Sequence, residues 1–496
     1  MNTRNNNQAG ATPAATDGLR IGWAAVDIVP PQPVLIAGQF HARVSEGVAD
    51  PLTATALALQ ANGDQAVLVS CDLVAIGNEL RDAVRAIVRQ HAPDLPPEKV
   101  VLNATHTHTA PEIRAPSPTS AFVSRGTGVE LPAMPAADYV AFAAQRIGAA
   151  VIRAWQSRAP GTIAFGQGYA VIGRNRRWVD TSGRATMYGN TNTPSFSHIE
   201  GYEDHSVNIL ATCDMEGALT GLVVNVPCPA QVSESEFVLS ADYWHETRNE
   251  LRRRFGDALF VLAQCSAAGD QSPHLLFEKA ADQRMLNLRR RSRREEIAQR
   301  LADAVSSVLP VTLPTAQPTT AFRHHVETID LPLNRLTPSQ VDEALREAAS
   351  WQARYEEELR KLAANPALRQ EPRWYVPVTR AFQRMEWYRA VARRFEEQAS
   401  NPYLPVEVHV IRLGDVAIAT NPFEYYLDFG IFIKARSCAV QTFLVQLAGP
   451  GTYVPSARAV AGGSYGAVPA SNLVGPEGGR HLAERTVEII QELWRS

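Results

Sequence analysis

The chain has 496 residues, of which 45% are hydrophobic and 20% are charged, and its formal net charge is −3. This length provides a large core in one or two domains, and it excludes a small scaffold held together by disulfides or a metal. The balanced charge excludes a protein-wide basic surface for nucleic acid, and the arginine-rich run at residues 289–294 precedes two glutamates, which is typical of a solvated helix face.

The N-terminal segment predicts no targeting signal. Residues 1–18 are mostly polar and lack the apolar core of a signal peptide, so we expect a disordered leader followed by one catalytic domain over residues 19–496. No later run has the length and apolarity of a transmembrane segment. The cysteines are odd in number and widely spaced, which favours a reducing, cytoplasmic location without disulfides: Cys71, Cys213, Cys228, Cys265 and Cys438.

Hydrophobic periodicity predicts alternating strands and helices. In chain order they are strands over 19–28, 53–60 and 65–70, a helix over 77–91, a strand over 100–104, a helix over 136–158, a strand over 219–226, a helix over 243–255, a strand over 259–263 and a helix over 479–494. The strand, helix, strand order occurs twice. The sequence therefore predicts an α/β fold, with a mixed-sheet core and flanking helices.

Two histidines follow the predicted buried strand over residues 100–104. His106 and His108 are two residues apart, a spacing that puts both imidazoles on one face of an extended segment. Strands of α/β folds present functional groups at their carboxyl ends, and neutral imidazole is a common zinc ligand. The alternative is a pair of surface histidines in an ordinary strand exit.

Residues 336–400 differ in character from the rest of the chain. Thr337, Pro338 and Gln340 form the pattern of a helix start with a capping box, and charged helical segments follow. We predict an inserted helical hairpin that packs on the main body and is long enough to overhang a site. Together with the loop over residues 115–136, it is expected to set specificity.

Several motifs resemble one known family. The segment Ala-Thr-His-Thr-His-Thr-Ala-Pro at 104–111 resembles the Ala-Thr-His-Thr-His-Ser-Gly-Pro signature of neutral/alkaline non-lysosomal ceramidases, which are zinc amidases that cleave N-acyl sphingosines. Further blocks between about residues 21 and 490 occur in the family's order: Gly-Arg-Asn-Arg at 173–176, Gly-Asp-Gln-Ser-Pro at 269–273, Asn-Pro-Phe-Glu at 421–424, Tyr-Val at 453–454, Gly-Ser-Tyr-Gly at 463–466 and a glycine-rich stretch at 472–479.

The resemblance implies a ceramidase-like catalytic domain, here without the family's C-terminal β-sandwich, and a role for each matching residue. The implied zinc ligands are His106, Glu424 and Tyr453, with a fourth at position 228. His108 is implied as the group that assists proton transfer, and Ser272 as a serine near the reacting centre. Tyr465 and Arg176 are implied to hold the amide oxygen, although Arg174 competes with Arg176 for that role.

The chain departs from the family where a second zinc histidine is expected. Cys228 stands at that place, and thiolate is a good zinc ligand, so a site of His106, Cys228, Glu424 and Tyr453 is one possibility. In the alternative, Cys228 is an inert buried cysteine, and the fourth zinc ligand is either lost or supplied by His245 or His274.

Three functions follow from these observations. The first is a zinc-dependent hydrolase that cleaves an N-acyl amide or related ester of a small-molecule substrate through a metal-bound water. The second is cleavage, by hydrolysis or elimination, of a polar sugar-derived compound, with Tyr465 and His108 as acid and base and, where the sugar is acidic, with Arg176 or Arg174 binding its carboxylate. The third is a non-catalytic binding protein with the same fold.

Overall fold

The computed structural model describes residues 18–114, 126–319 and 321–495. The helices of this part of the chain are, in order, α1 Asn78–His91, α2 Ala136–Gln156, α3 Tyr243–Phe255, α4 Lys279–Arg289, α5 Arg293–Thr312, α6 Pro338–Ala364, α7 Tyr375–Glu397, α8 Leu427–Arg436, α9 Ala457–Gly462 and α10 Pro476–Arg495. The leader predicted over residues 1–18 lies outside the described residues except for Gly18, and so does half of the predicted specificity loop, residues 115–125.

The strands of the same part of the chain are, in order, β1 Arg20–Asp27, β2 Thr53–Ala61, β3 Asp64–Cys71, β4 Val100–Ala104, β5 Ala159–Pro160, β6 Thr162–Tyr169, β7 Arg174–Asn175, β8 Arg177–Asp180, β9 Ala185–Met187, β10 Phe196–Ile199, β11 Ser206–Cys213, β12 Leu219–Val226, β13 Phe260–Cys265, β14 Gln271–Ser272, β15 Phe322–Pro332, β16 Tyr403–Leu413, β17 Val416–Thr420, β18 Glu424–Tyr425, β19 Gln441–Val445 and β20 Tyr453–Val454.

Three larger sheets form the body of the protein. Their strand orders are β4-β3-β2-β1-β5, β13-β12-β11-β6 and β15-β16-β17-β19. Each contains one parallel pair, β3 with β4, β12 with β13 and β17 with β19, while the remaining pairs are antiparallel. A helix connects the two strands of each parallel pair, because a parallel connection needs a crossover.

The three sheets meet in one apolar cluster. Leu57 of β2, Leu210 of β11 and Phe443 of β19 are fully buried in it. The opposite faces are covered by helices: α1 and α2 on the first sheet, α3 and α5 on the second, α8 and α10 on the third. Strands buried on both faces are apolar throughout. The predicted α/β class, with a mixed-sheet core and flanking helices, is confirmed.

The parallel strands bring distant segments of the chain to one edge. β4 ends just before the histidine pair, β13 just before the Gly-Asp-Gln-Ser-Pro block, and β17 just before Glu424. A short parallel pairing of β18 with β20 then sets Glu424 opposite Tyr453. The antiparallel pairing of β7 with β14 sets Ser272 opposite Arg174. Backbone pairing therefore places the predicted site segments next to each other.

The inserted hairpin consists of α6 and α7. Its predicted capping box is present, because the Thr337 hydroxyl accepts from the Gln340 N–H and the Gln340 side chain accepts from the Thr337 N–H. The Thr379 hydroxyl of α7 accepts from the Ala42 N–H at 3.0 Å, which ties the hairpin to the main body as expected.

Two further features concern membranes and thiols. Within residues 18–114, 126–319 and 321–495, none of the helices combines the length and the apolar character that a bilayer crossing requires. All five cysteines lie in the described part of the chain and all are free thiols, four of them buried.

Candidate active site

His106 is the centre of the candidate site. It follows β4 and has a φ of 66°, a left-handed conformation that costs a non-glycine residue about 1–2 kcal/mol. Its Nδ1 lies 2.6 Å from the Val74 carbonyl, so Nδ1 carries the ring proton and donates it. The Nε2 lone pair therefore faces away from the backbone.

Glu424 and Tyr453 lie on the Nε2 side of His106. Glu424 Oε2 is 3.4 Å from His106 Nε2, and the Tyr453 side chain hydrogen-bonds Glu424. Burial acts to raise the pKa of the Glu424 carboxyl, but the positive charge of His106 when a proton lies between Nε2 and Glu424, and then Arg176, outweigh it, and the pKa lies below its ordinary value. Glu424 is therefore a carboxylate.

His108 lies beside His106 on the same side. The two Nε2 atoms are 3.3 Å apart and the ring centroids 4.9 Å. The left-handed turn at His106, rather than strand alternation, brings the rings together. Burial, and next the His106 imidazole, lower the pKa of His108 to about 3, so the ring is neutral. Gly38 packs against this ring, and a Cβ there would lie 2.7 Å from His108 Cγ.

Arg176, and not Arg174, is part of this arrangement. Arg176 is buried, and its Nη2 donates to the Gly269 carbonyl at 2.7 Å and to the Tyr453 hydroxyl at 3.1 Å. Arg174 is 34% exposed and lies 3.7 Å from the Glu203 carboxylate. Arg176 thus places a positive charge directly behind the Tyr453 phenol.

The Gly-Asp-Gln-Ser-Pro block supports Glu424 from behind. The Gly269 N–H donates to the Tyr425 carbonyl at 2.9 Å, and a Cβ at Gly269 would lie 2.4 Å from the Glu424 carbonyl oxygen. Only glycine allows this approach. Ser272 is buried one layer away, where its Oγ accepts from the Tyr188 hydroxyl at 3.0 Å. Ser272 therefore reaches the site through Tyr188.

Tyr465 closes one side of the site with two other rings. Its ring centroid lies 5.4 Å from that of Tyr453, 5.7 Å from that of Phe40 and 5.7 Å from that of Trp387. Trp387 belongs to α7, so the inserted hairpin does overhang the site. The rings form an aromatic wall of Phe40, Trp387 and Tyr465.

These groups border a cavity of about 250 Å³. His106, His108, Glu424 and Tyr453 line it, together with the aromatic wall and Arg114. Arg114 is held by Glu112, which accepts from Nε and Nη2 at 2.7 Å each. The cavity is therefore small, and its wall combines polar, charged and aromatic groups.

Cys228 lies apart from this group. It is fully buried in the apolar cluster under α3, and its Sγ is 3.6 Å from the Pro229 carbonyl oxygen. Burial raises the pKa of the thiol well above its ordinary value. Among the described residues, no group of three or more His, Cys, Asp or Glu side chains is arranged to hold a metal ion. The structure thus brings together His106, Glu424 and Tyr453, and it does not bring Cys228 to them.

The two alternative fourth ligands are also held elsewhere. His245 Nε2 contacts the side-chain amide of Asn249 at 3.0 Å, on the surface of α3. His274 Nε2 contacts the Gln231 carbonyl at 2.9 Å and the Glu234 carboxylate at 3.3 Å. Neither contact involves His106.

Arg177 supports the site from behind, and no pattern in the sequence distinguishes it. It is fully buried, pairs with Glu200 at 2.5 Å, and donates to the carbonyls of Tyr465 at 2.7 Å and Gly463 at 2.5 Å. In the sequence it is one more arginine in the run at 174–177. Its buried ion pair fixes the segment that carries Tyr465.

We expect Arg177→Met to destabilise the fold and release the Tyr465 segment. The variant leaves Glu200 buried without its partner, which costs about 3–5 kcal/mol. The matched control is Arg174→Met, which removes a half-exposed ion pair that contributes at most about 1 kcal/mol. Urea unfolding of both variants measures the difference. Equal midpoints for the two variants would contradict this role of Arg177.

The comparisons with known proteins identify the fold. No protein-family model matches the chain, and no curated protein matches it at a significant level. Solved structures with the same architecture include two ceramidases. The neutral ceramidase from Pseudomonas aeruginosa matches with a TM-score of 0.65 and 16% identity over 97% of this chain and 75% of that one. A ceramidase complexed with C2 gives 0.64 and 15%, over 97% and 76%. The ceramidase resemblance is thus confirmed for the fold.

Proposed function

We propose that this protein is a zinc-dependent hydrolase that cleaves an N-acyl amide, or a related ester, of a small polar compound. The observation that carries the proposal is the contact of Glu424, which Tyr453 hydrogen-bonds, with Nε2 of His106 in the wall of a cavity that all three residues line. The fold, which the chain shares with solved ceramidases, supports the same reaction class.

The donor atoms suit a zinc ion. His106 Nε2 and Glu424 Oε2 are both acceptors, and acceptors 3.4 Å apart repel unless a proton or a cation lies between them. The hydrogen bond from His106 Nδ1 to the Val74 carbonyl is the support that zinc-binding imidazoles usually have. Three protein ligands of nitrogen and oxygen type, with one position open, are the pattern of catalytic zinc. Cys228 is left out of this set.

The surrounding side chains have complementary roles. When bound, zinc supplies a water that is acidic enough to act as hydroxide near neutral pH. Arg176 stabilises negative charge on the Tyr453 oxygen, which it contacts at 3.1 Å. Tyr465 lines the cavity and donates to the carbonyl oxygen of the substrate as charge develops there. His108 is neutral, so in the proposed reaction its lone pair takes a proton from the attacking water and the ring then passes that proton to the leaving amine.

The size of the cavity favours a small substrate. Pockets for drug-sized ligands occupy about 300–1,000 Å³, and this cavity has about 250 Å³. A compound with long alkyl chains would have to keep part of each chain outside that volume, so the proposal favours a substrate with a short acyl group.

A second candidate is cleavage of an acidic sugar derivative, with Tyr465 and His108 as acid and base. The aromatic wall and the Arg114 guanidinium in the cavity favour it, because rings of this kind pack against sugar faces and a guanidinium binds a carboxylate.

Metal removal separates the two candidates. We expect the protein to bind one zinc ion, to cleave short N-acyl amides, and to lose this activity on dialysis against a chelator and regain it with zinc. Elemental analysis and a substrate panel of short amides, long-chain amides and uronic acid glycosides measure this. Activity that survives chelation, on the uronic acid glycosides alone, contradicts the hydrolase proposal and supports the second candidate.

A further inference from the structure

Glu234 lies between two imidazoles beside the candidate site. Its Oε2 is 3.5 Å from His108 Nδ1, and its Oε1 is 3.3 Å from His274 Nε2. We propose that Glu234 is a positioning residue that fixes the ring orientation and tautomer of His108. The proposal rests on the proposed function, because it assumes that His108 transfers a proton during amide cleavage.

The carboxylate is held in place from several sides. Gln231 Nε2 donates to Glu234 Oε2 at 3.0 Å. The backbone carbonyl of Glu234 accepts from Arg43 Nη1 at 2.8 Å, and Arg43 Nη2 donates to the His108 carbonyl at 2.6 Å. Arg43 is fully buried. One rigid guanidinium thus connects the backbones of Glu234 and His108, so their separation is set before any substrate binds.

The hydrogen bond of His106 determines which His108 tautomer is able to accept a proton at the cavity. Because His106 Nδ1 donates to the Val74 carbonyl, Nε2 is the ring nitrogen that is left to bind a metal ion. His108 Nε2 lies 3.3 Å from it. A zinc ion on His106 would occupy that lone pair, so a proton on His108 Nε2 would find no acceptor on His106, and the lone pair on His108 Nδ1 would face the Glu234 carboxylate. That tautomer cannot accept a proton at the cavity.

Glu234 favours the other tautomer. A carboxylate is a stronger acceptor than a neutral imidazole, so it draws the proton to His108 Nδ1. This nitrogen is buried and has no hydrogen-bond partner of normal geometry among the described residues. The 3.5 Å separation from Glu234 matches the long distances that catalytic hydrogen bonds often have before a ligand is bound. The lone pair on Nε2 then faces His106 and the cavity.

Glu234→Gln tests this assignment, with Glu236→Gln as its matched control. Both substitutions remove one negative charge from the same loop, but Glu236 is exposed. The probe is the ring nitrogen spectrum of His108, recorded by 15N NMR with and without added zinc. We expect a proton on Nδ1 in the parent and in Glu236→Gln, and a shift of population to the Nε2–H tautomer in Glu234→Gln. The same tautomer in all three proteins overturns the proposal.

Two further measurements keep the test independent of folding and of the proposed reaction. His274→Gln loosens Glu234 from its far side, so we expect a mixture of the two tautomers there. On any amide that the parent cleaves, Glu234→Gln lowers kcat by about 10–100-fold with KM nearly unchanged, and Glu234→Asp restores part of the loss. The NMR measurement requires no turnover, so absence of amidase activity contradicts the proposed function and leaves the tautomer result to decide on Glu234.

Discussion

Replacing His106 with alanine is expected to abolish zinc binding and to reduce amide cleavage by at least about 10³-fold. The imidazole is the one nitrogen donor of the proposed set, and its Nε2 lies 3.4 Å from the Glu424 carboxylate, which Tyr453 hydrogen-bonds. Without it, a carboxylate and a phenol remain, and zinc prefers nitrogen or sulfur ligands in such sites. A bound metal ion contributes several kcal/mol to transition-state stabilisation, and about 4 kcal/mol already corresponds to 10³-fold in rate.

Zinc content by elemental analysis and kcat/KM on a short amide measure the effect. His198→Ala is the control, because His198 is exposed and its Nδ1 contacts the neighbouring Ser197 hydroxyl at 2.9 Å. The control retains one zinc ion and full activity. Alanine keeps the strain of the left-handed backbone at residue 106 and loses the hydrogen bond to the Val74 carbonyl, so thermal unfolding establishes that the variant is folded before its zinc content is measured. A folded His106→Ala protein with normal zinc content would exclude His106 as a ligand.

Local patterns in the sequence predicted much of the fold. Helix α3 and strand β12 have the predicted bounds, and β4 ends where the apolar run ends. Each of these elements is either buried throughout or strongly amphipathic, so its period stands out in the sequence. The capping box at Thr337 is equally local, because the two residues that form it are three positions apart.

The sheet-forming strands that the sequence analysis missed have weak local patterns. β6 contains two glycines and pairs with β11, and the glycines admit the side chains of α5, as the 2.7 Å approach of Val308 to a Cβ at Gly166 indicates. β15 and β16 pair along their full lengths although the whole inserted hairpin separates them in the sequence. Pairings of such separation depend on the tertiary fold.

Some residues of the candidate site are likewise predicted by local sequence patterns, and others depend on the tertiary fold. His106 and His108 are recognisable from their motif, whereas Arg177 and Glu234 depend on contacts between distant segments. Arg177 Nη1 reaches the Tyr465 carbonyl across 288 positions of the chain. For Cys228, the motif order and the fold disagree. Its position in the motif order suggested a ligand, but its side chain packs into the apolar cluster under α3, and side-chain direction is a property of the fold.

Tyr465→Phe is expected to lower kcat by about 10²–10³-fold while zinc binding and stability remain unchanged. The hydroxyl is the donor that we assign to the substrate oxygen, and loss of one such donor has an effect of this size in other acyl-transfer sites. The ring stays in place, because it is held by Tyr453, Phe40 and Trp387 and by the Arg177 contact to its backbone carbonyl. KM should change little, since the interaction strengthens in the transition state.

Tyr403→Phe is the matched control, because Tyr403 is 59% exposed and lies at the start of β16, outside the residues that line the cavity. Thermal unfolding and zinc content of both variants show whether the loss is catalytic. A turnover that disappears only in Tyr465→Phe excludes the reading of this fold as a non-catalytic binding protein. If both variants retain full activity, the oxyanion donor lies elsewhere, and Arg114, which also lines the cavity, is the next residue to replace.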